Sequence, residues 1–432
     1  MLFKNITIID ESFNSKDSMC VGVIDDKITY ISEELPENTL QYGRIYDGKN
    51  KILMSGLYNS HCHMPMTLLR GYAENLNLQD WLFGKIFPFE AKITNDDSYY
   101  ASLLAIAEMM STGTVSVTDM YAHMNSNAKA CLESGFKANL SNGLMAFDDT
   151  PFKENKNHLE EQACTSEFEG ISNERIKIDK SIHAVYTSNR NVVEDVARFA
   201  KENNSSVHIH LSETETEVKE CIEKYGVSPV KYFYDAGLFD SHVVAAHCVC
   251  LSDEDMDILA EKGVFAVHNP TSNLKLASGI ADIPKMKEKG VKIALGTDGV
   301  ASNNNLDMFE EIKLCAILNK GAKLNPILTP TKDVLQYATT NGALAQRRTD
   351  CGLLKVGYKA DLIVLDANSP SLQPMHNAIN NAVYSASGKD VCLTMIDGKI
   401  VYENGDFKTI DVERAIFEVN KSASRIIKEL QN

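Results

Sequence analysis

Tryptophan occurs once in this 432-residue chain, proline 11 times, and no two of the ten cysteines form a C-x-x-C pair. The scattered thiols exclude a disulfide framework, which a chain of this length does not need, and they exclude a four-cysteine zinc site or a dithiol redox motif. Reduced thiols in a cytoplasm are the simplest reading. Basic charge is also short, 43 Lys+Arg against 59 Asp+Glu for a net charge of −16, with no Lys/Arg cluster. That argues against a nucleic-acid or anionic-membrane partner, since both require a basic footprint. No apolar run approaches transmembrane length. The amino terminus, MLFKNITIIDESF, places acids soon after a short apolar run and offers no small-residue cleavage site, so it does not read as a signal peptide. The expectation is a cytoplasmic protein acting on a small molecule, with homo-oligomer formation left open.

What is present describes a globular chain: 44% hydrophobic and 24% charged residues, without internal repeats or low-complexity segments. The two ends resemble each other in style. Leu2 to Ile9, Val21 to Ile31 broken at Asp25-Asp26, and Lys51 to Leu57 read as short strands. Near the other end, Asp361 to Asp366 is a compact apolar run, and Leu393 to Ile396 meets Ile400 to Tyr402 across the turn pair Asp397-Gly398. Residues 1–55 and 352–410 are therefore expected to form one small β-sandwich domain, followed by a C-terminal helix at 411–432.

Between them, residues 56–351 alternate apolar β-type runs with helical patterns. The strand candidates are Leu57–Cys62, Val115–Asp119, Phe136–Ser141, Ile176–His183, Val207–Leu211, Val243–His247, Val264–His268 and Lys292–Asp298. Helical stretches such as Tyr99–Met110, Asn191–Glu202, Glu215–Tyr225 and Asp253–Lys262 fall between them, and Leu306–Leu318 follows the last. About eight strand-then-helix units in a row predict an α/β fold, a distorted (β/α)8 TIM barrel carrying the small β-sandwich domain.

Barrels place their chemistry at the carboxyl ends of the strands, and polar residues gather there in this sequence. The first strand ends in His61-Cys62-His63, the fourth in His183, the fifth in His210, the sixth in His247, the seventh in His268 and the eighth in Asp298. Side chains alternate faces along a strand, so His61 and His63 point the same way and can share a cation, while Cys62 points into the core. Taken alone, one H-x-H pair in a chain with 11 histidines carries little.

The context is specific. Gly56 precedes His61 by five residues, Glu213 follows His210 by three, and Gly296-Thr297-Asp298 closes the last strand. With MTLLRGYAENLNLQDWLFGKIFPFE within Pro65 to Glu90, HNPTSNLKLASGI from His268 and LGTDGVASNN from Leu295, nearly the whole chain resembles the amidohydrolase superfamily. Within it, the chain is similar to the methylthioadenosine/S-adenosylhomocysteine deaminase group.

The resemblance implies hydrolytic removal of the 6-amino group of an adenine nucleoside at one divalent metal. The metal ligands would be His61, His63, His210 and Asp298. Neutral imidazoles and a carboxylate suit zinc, and iron or manganese fit the same donors. An open coordination position lets water become hydroxide near neutral pH. Glu213 would shuttle a proton to the ring nitrogen as hydroxide adds, His247 would orient the attacking water, and Asp298 would pass a proton to departing ammonia. Simpler roles exist for each: a first-turn helix acid for Glu213, and a ligand of a second metal for His247. Two-metal relatives usually end the fourth strand in a carboxylated lysine, and this one ends in His183, which favours one metal. His208 reads as a structural residue of a deeper barrel layer, His268 as a shaper of its loop, and His123, His158, His242 and His376 as surface or packing residues.

For substrate binding, the resemblance puts Glu90 on the ribose hydroxyls with Trp81 packed nearby, and His183 on the purine. Without it, the Trp81–Glu90 segment reads equally as an amphipathic helix on the barrel rim. Relatives that take S-adenosylhomocysteine tend to offer an arginine after the third strand to its carboxylate. Here Asn142 stands in that stretch, and no arginine occurs from Gly71 through Gly170. An amide cannot replace a bidentate guanidinium. Methylthioadenosine or adenosine is expected to be preferred, unless Lys137 or Lys153 supplies the charge. Two other readings remain open at this level: an aminohydrolase or chlorohydrolase acting on guanine, pterin or triazine rings, for which Glu90 would find no diol, and a non-catalytic metal-binding barrel.

Overall fold

The apolar runs in the middle of the chain become parallel strands. In the computed structural model, which describes residues 1–148 and 150–431, they are Leu57–Cys62, Thr114–Met120, Lys137–Ser141, Ile176–Ile178 with Lys180–Ile182, Ser206–Leu211, His242–His247, Phe265–His268 and Lys292–Leu295. Each is hydrogen-bonded in parallel register to the next. The fourth strand changes partner midway, since Ile176–Ile178 pairs only with the third strand and Lys180–Ile182 only with the fifth. At the break sits Asp179, buried, with both carboxylate oxygens accepting from the Asn139 amide at 3.2 and 3.1 Å. The barrel wall is thereby split into sheets of four and five strands, a form the sequence reading did not specify.

Helices cover the wall because their apolar residues recur at helical spacing. Arg190–Glu202 buries Val192, Val193, Val196, Ala197 and Ala200 on one face, and the Asn189 side chain caps its first turn by accepting from Val192 N–H. No helix among the described residues is long and apolar enough to cross a membrane.

The eighth strand reaches the first through a close seam. Asp298 N–H donates to the His61 carbonyl at 3.0 Å, and Gly296 N–H donates to the His268 carbonyl at 3.1 Å. A Cβ on Gly296 would stand 2.6 Å from Asn269 Oδ1 and 2.8 Å from the His61 nitrogen, so only glycine permits this approach. The seam thereby delivers Asp298 to His61.

Both ends of the chain build one nine-stranded sheet. Its order runs Asp406–Phe407, Lys399–Glu403, Val391–Ile396, Leu362–Asp366, Lys51–Ser55, Leu2–Ile9, Ser15–Ile24, Lys27–Ser32, with Ile45–Asp47 beside the start of Leu2–Ile9. The ladder is continuous and folds over a shared core of Phe3, Ile6, Val21, Leu362 and Val364, among others. The hairpin at Asp397-Gly398 forms as expected, with φ of +47° and +72° at the two turn residues. The last helix, Val412–Gln431, lies against Asn95–Ser111, where Arg425 pairs with Asp97 at 2.5 Å.

Candidate active site

The four expected metal ligands converge at the carboxyl end of the barrel. Asp298 Oδ1 stands 3.2 Å from Nε2 of both His61 and His63, and His210 Nε2 is 3.3 Å from His63 Nε2. The far nitrogen of each ring is already committed. His61 Nδ1 meets His208 Nε2 at 2.9 Å, His63 Nδ1 meets the Met120 carbonyl at 2.6 Å, and His210 Nδ1 meets the His183 carbonyl at 2.6 Å. Such second contacts fix the tautomer and leave Nε2 as the free donor. Nε2 of His61 is fully buried and makes no hydrogen bond of acceptable geometry. A buried lone pair of this kind, facing a carboxylate and two more imidazoles, fits a divalent cation.

Electrostatics agree with that fit. Burial lowers His61 to about 4 and holds His208 and His210 well below the usual imidazole range, so these rings are neutral. Burial pushes Asp298 up, yet the neighbouring His61 and His63 rings outweigh it and hold the carboxylate well below its ordinary range. Burial also opposes a proton on His63, but Asp298 and the Met120 carbonyl prevail and raise it to about 9. Cation binding displaces a proton of this kind.

The backbone is held in unusual shapes at these strand ends. Ser212, His247 and Asp298 take φ of +50°, +74° and +61°, a left-handed region costly for residues with a Cβ. Asp298 is kept there by hydrogen bonds to its carboxylate from Ser272 Oγ at 2.6 Å, Ser302 Oγ at 3.0 Å and Gly299 N–H at 2.8 Å. His247 is oriented by Asn273 Oδ1, 2.9 Å from its Nδ1. Its Nε2 lies 3.8 Å from Glu213 Oε2, while Ser278 Oγ donates to Glu213 Oε1 at 3.2 Å. Burial raises the Glu213 carboxyl above its ordinary range, against the pull of His247. His61, His210 and His247 form a donor triad that shares His61 with the triad of His61, His63 and Asp298. Lys180, on the fourth strand, is turned to Glu161 at 3.5 Å and lies over the Phe199 ring, away from these donors.

The pocket above the donors is walled by the segment after the first strand. Leu78–Trp81 and Phe87–Glu90 are ordinary helical turns, but Leu82–Ile86 between them is a π turn, with Phe87 N–H donating to the Leu82 carbonyl. Pro88 supplies a reason, because its ring would clash with the carbonyl four residues back in a regular helix and it has no N–H to donate. In a regular helix Glu90 would lie about 180° around the axis from Trp81, and the extra residue in the wide turn brings it back by about 100°. Trp81, Leu82, Phe87 and Glu90 consequently all line the pocket. Glu90 is half-buried and raised to about 7 by that burial, with Tyr121 and His63 nearby opposing the rise.

The remaining expected residues fall as follows. His183 lines the pocket, its Nδ1 3.0 Å from Thr187 Oγ1 and its ring beside His210. Asn142 lines it too, but its amide is held between Glu160 and Asn157. Lys137 is buried elsewhere, paired with Asp361 at 2.6 Å and Asp397 at 2.7 Å, and Lys153 is exposed on the turn Phe152–Glu154. No lysine or arginine lines the pocket among the described residues. His268 is buried at the seventh strand's end, outside the lining.

Several residues that shape the site escaped the sequence reading. His123 lines the pocket, and so does Tyr121, next to Glu90. Four buried carboxylates pin the loops: Asp119 accepts Met64 N–H, Glu161 accepts Asn142 N–H, Glu217 accepts Ser212 and Glu213 N–H, and Glu311 accepts Thr271 N–H and the Asn303 amide. Only Glu217 left a sequence signal, the capping pattern Thr214-x-x-Glu217.

Comparison with known proteins follows the same lines. The profile of the Amidohydrolase family matches residues 52–401. The 5-methylthioadenosine/S-adenosylhomocysteine deaminase of Dictyoglomus thermophilum is 46% identical over 404 residues, 94% of either chain. The 5'-deoxyadenosine deaminase of Methanosarcina mazei is 43% identical over 408 residues, 94% of this chain and 93% of its own. Among solved structures, an adenosine deaminase from Xanthomonas campestris with bound zinc is similar with a TM-score of 0.92 at 30% identity, covering 99% of this chain and 98% of that one. The zinc in that neighbour and the donor cluster here both support a divalent metal.

Proposed function

Because the chain belongs to the amidohydrolase family, we propose that it is a metal-dependent hydrolase removing the 6-amino group of adenine nucleosides as ammonia. The observation carrying this reading is that His63, His210, Asp298, Glu213 and His247 open onto the pocket whose wall presents Glu90. A cluster of metal-donor side chains beside an acid placed to shuttle a proton suits hydrolysis of a ring amidine, and the half-buried Glu90 carboxyl suits a ribose diol. The names of the similar proteins in Dictyoglomus, Methanosarcina and Xanthomonas point to the same substrate class.

His61, His63, His210 and Asp298 would hold the ion, with zinc the favoured occupant. Once bound, it would supply a water of lowered pKa as nucleophile at neutral pH. Glu213, its carboxyl raised by burial, gives a proton to N1 of the purine as C6 loses aromatic character. His247, fixed by Asn273, directs the attacking oxygen toward C6. Asp298 takes up a proton and returns it to the departing amine. Glu90 accepts the ribose hydroxyls, Trp81 packs beside them, and His183 meets the purine. The absence of lysine and arginine from the lining among the described residues favours a neutral 5′ substituent, as in methylthioadenosine or adenosine, over the charged tail of S-adenosylhomocysteine.

Ammonia release by zinc-loaded protein tests the reading on methylthioadenosine, adenosine and S-adenosylhomocysteine, with guanine alongside. Turnover of the nucleosides is expected. Release from guanine with none from the nucleosides would overturn it.

A further inference from the structure

We infer that Glu217 is a positioning residue for the proton shuttle, an inference that rests on the role given to Glu213 above. Glu217 is 2% exposed and sits in the first turn of the helix Glu215–Tyr225, which Thr214 caps by accepting Glu217 N–H at 3.1 Å. In a capping box the acid at this position returns its carboxylate to the N–H of the capping residue itself. Here it reaches further back. Oε1 accepts Ser212 N–H at 3.1 Å and Oε2 accepts Glu213 N–H at 2.7 Å.

Those two amides flank the residue that needs holding. Ser212 carries φ of +50°, a conformation that persists only where its surroundings enforce it. From the other side, Val249 and Cys250 N–H both donate to the Ser212 carbonyl, at 3.1 and 2.9 Å. Glu217 thus supplies the amide half of a clamp and residues 249–250 the carbonyl half. Rotation at Ser212 would swing the Glu213 carboxyl away from His247 and Ser278, its neighbours at 3.8 and 3.2 Å. Glu217 itself is absent from the pocket lining, so it acts through the backbone of Glu213.

Glu217→Gln keeps the side-chain volume and one acceptor but turns an NH2 toward one of the two amides. Its kcat for methylthioadenosine is expected to fall about 10- to 100-fold, with KM within about threefold and bound zinc unchanged. In a Glu213→Gln background the same change should cost less than about threefold, because the group it positions is gone. An equal loss in both backgrounds, or a loss of zinc that accounts for the lower rate, would overturn the inference. A crystal structure of zinc-loaded Glu217→Gln is expected to show the Glu213 carboxyl displaced, and an unmoved carboxyl would overturn the inference whatever the substrate. Wild-type protein that releases no ammonia from any nucleoside defeats the substrate reading alone, and the crystallographic comparison then decides the question for Glu217.

Discussion

His61 Nδ1 and His208 Nε2 lie 2.9 Å apart, both rings fully buried, so one proton bridges two imidazoles. With Nε2 of His61 kept as the lone-pair donor to a cation, the bridging proton belongs to His61 and His208 accepts it. Behind His208 stands Ser141 Oγ, 3.5 Å from Nδ1. The residue that the sequence suggests is merely interior therefore fixes the tautomer of a proposed metal donor.

Replacing His208 with alanine should weaken zinc affinity about 10- to 100-fold, the usual consequence of removing such an outer partner. Competition with a fluorescent chelator measures this directly. Activity should return when zinc is supplied in excess, whereas His61→Ala should stay inactive.

Glu213→Gln keeps shape and hydrogen bonding but cannot shuttle a proton. A kcat loss of about 100- to 10,000-fold is expected, with KM and bound metal little changed. Steady-state ammonia release together with metal analysis separates this from a structural effect.

S-adenosylhomocysteine should show a kcat/KM roughly 10- to 100-fold below methylthioadenosine, the difference expected when a charged group lacks its charge-assisted partner. Lys137 is locked into its pair with Asp361 and Asp397 and cannot compensate. Equal efficiency on the two substrates would mean that a cation from outside the described lining reaches the tail.

Glu311 should make a contribution to stability that falls as pH rises from about 5 to about 8. Burial raises Glu311 from 4.5 to about 8, despite hydrogen bonds from Thr271 and Asn303. Within that window the folded protein keeps a proton that the unfolded chain has released, so the contribution is full below the unfolded value and is lost through the folded one. The change is on the order of a few kcal/mol. Denaturant midpoints for wild type and Glu311→Gln at pH 5.5 and 8.5 should show a shallower pH dependence in the variant.

Much of the fold was legible because each barrel strand is short, apolar and followed by a helical pattern, and because polar residues sit at the strand ends. The H-x-H pair needed only the two-residue period of a strand to place His61 and His63 together. Other features depend on tertiary approach. Nothing local in Gly296 announces that the eighth strand must pass within a Cβ radius of His61, and nothing in Asp179 announces that the fourth strand exchanges neighbours there. The carboxylates Asp119, Glu161 and Glu311 looked like ordinary acids because their partners are backbone amides of distant loops.

The wide turn at Leu82–Ile86 makes chain length part of the pocket's specification. On most helices of a barrel a single-residue deletion is absorbed by the following loop, and the buried face re-forms. Here closing the π turn into a regular one at unchanged chain length would carry Glu90 about 100° around the axis, out of line with Trp81, whereas deleting the extra residue would close the turn and leave Glu90 facing as it does now. Residue number and turn type between Leu82 and Ile86 are thus coupled, and a homologue one residue shorter at this point should be expected to carry a regular turn and present the same side chains to its substrate.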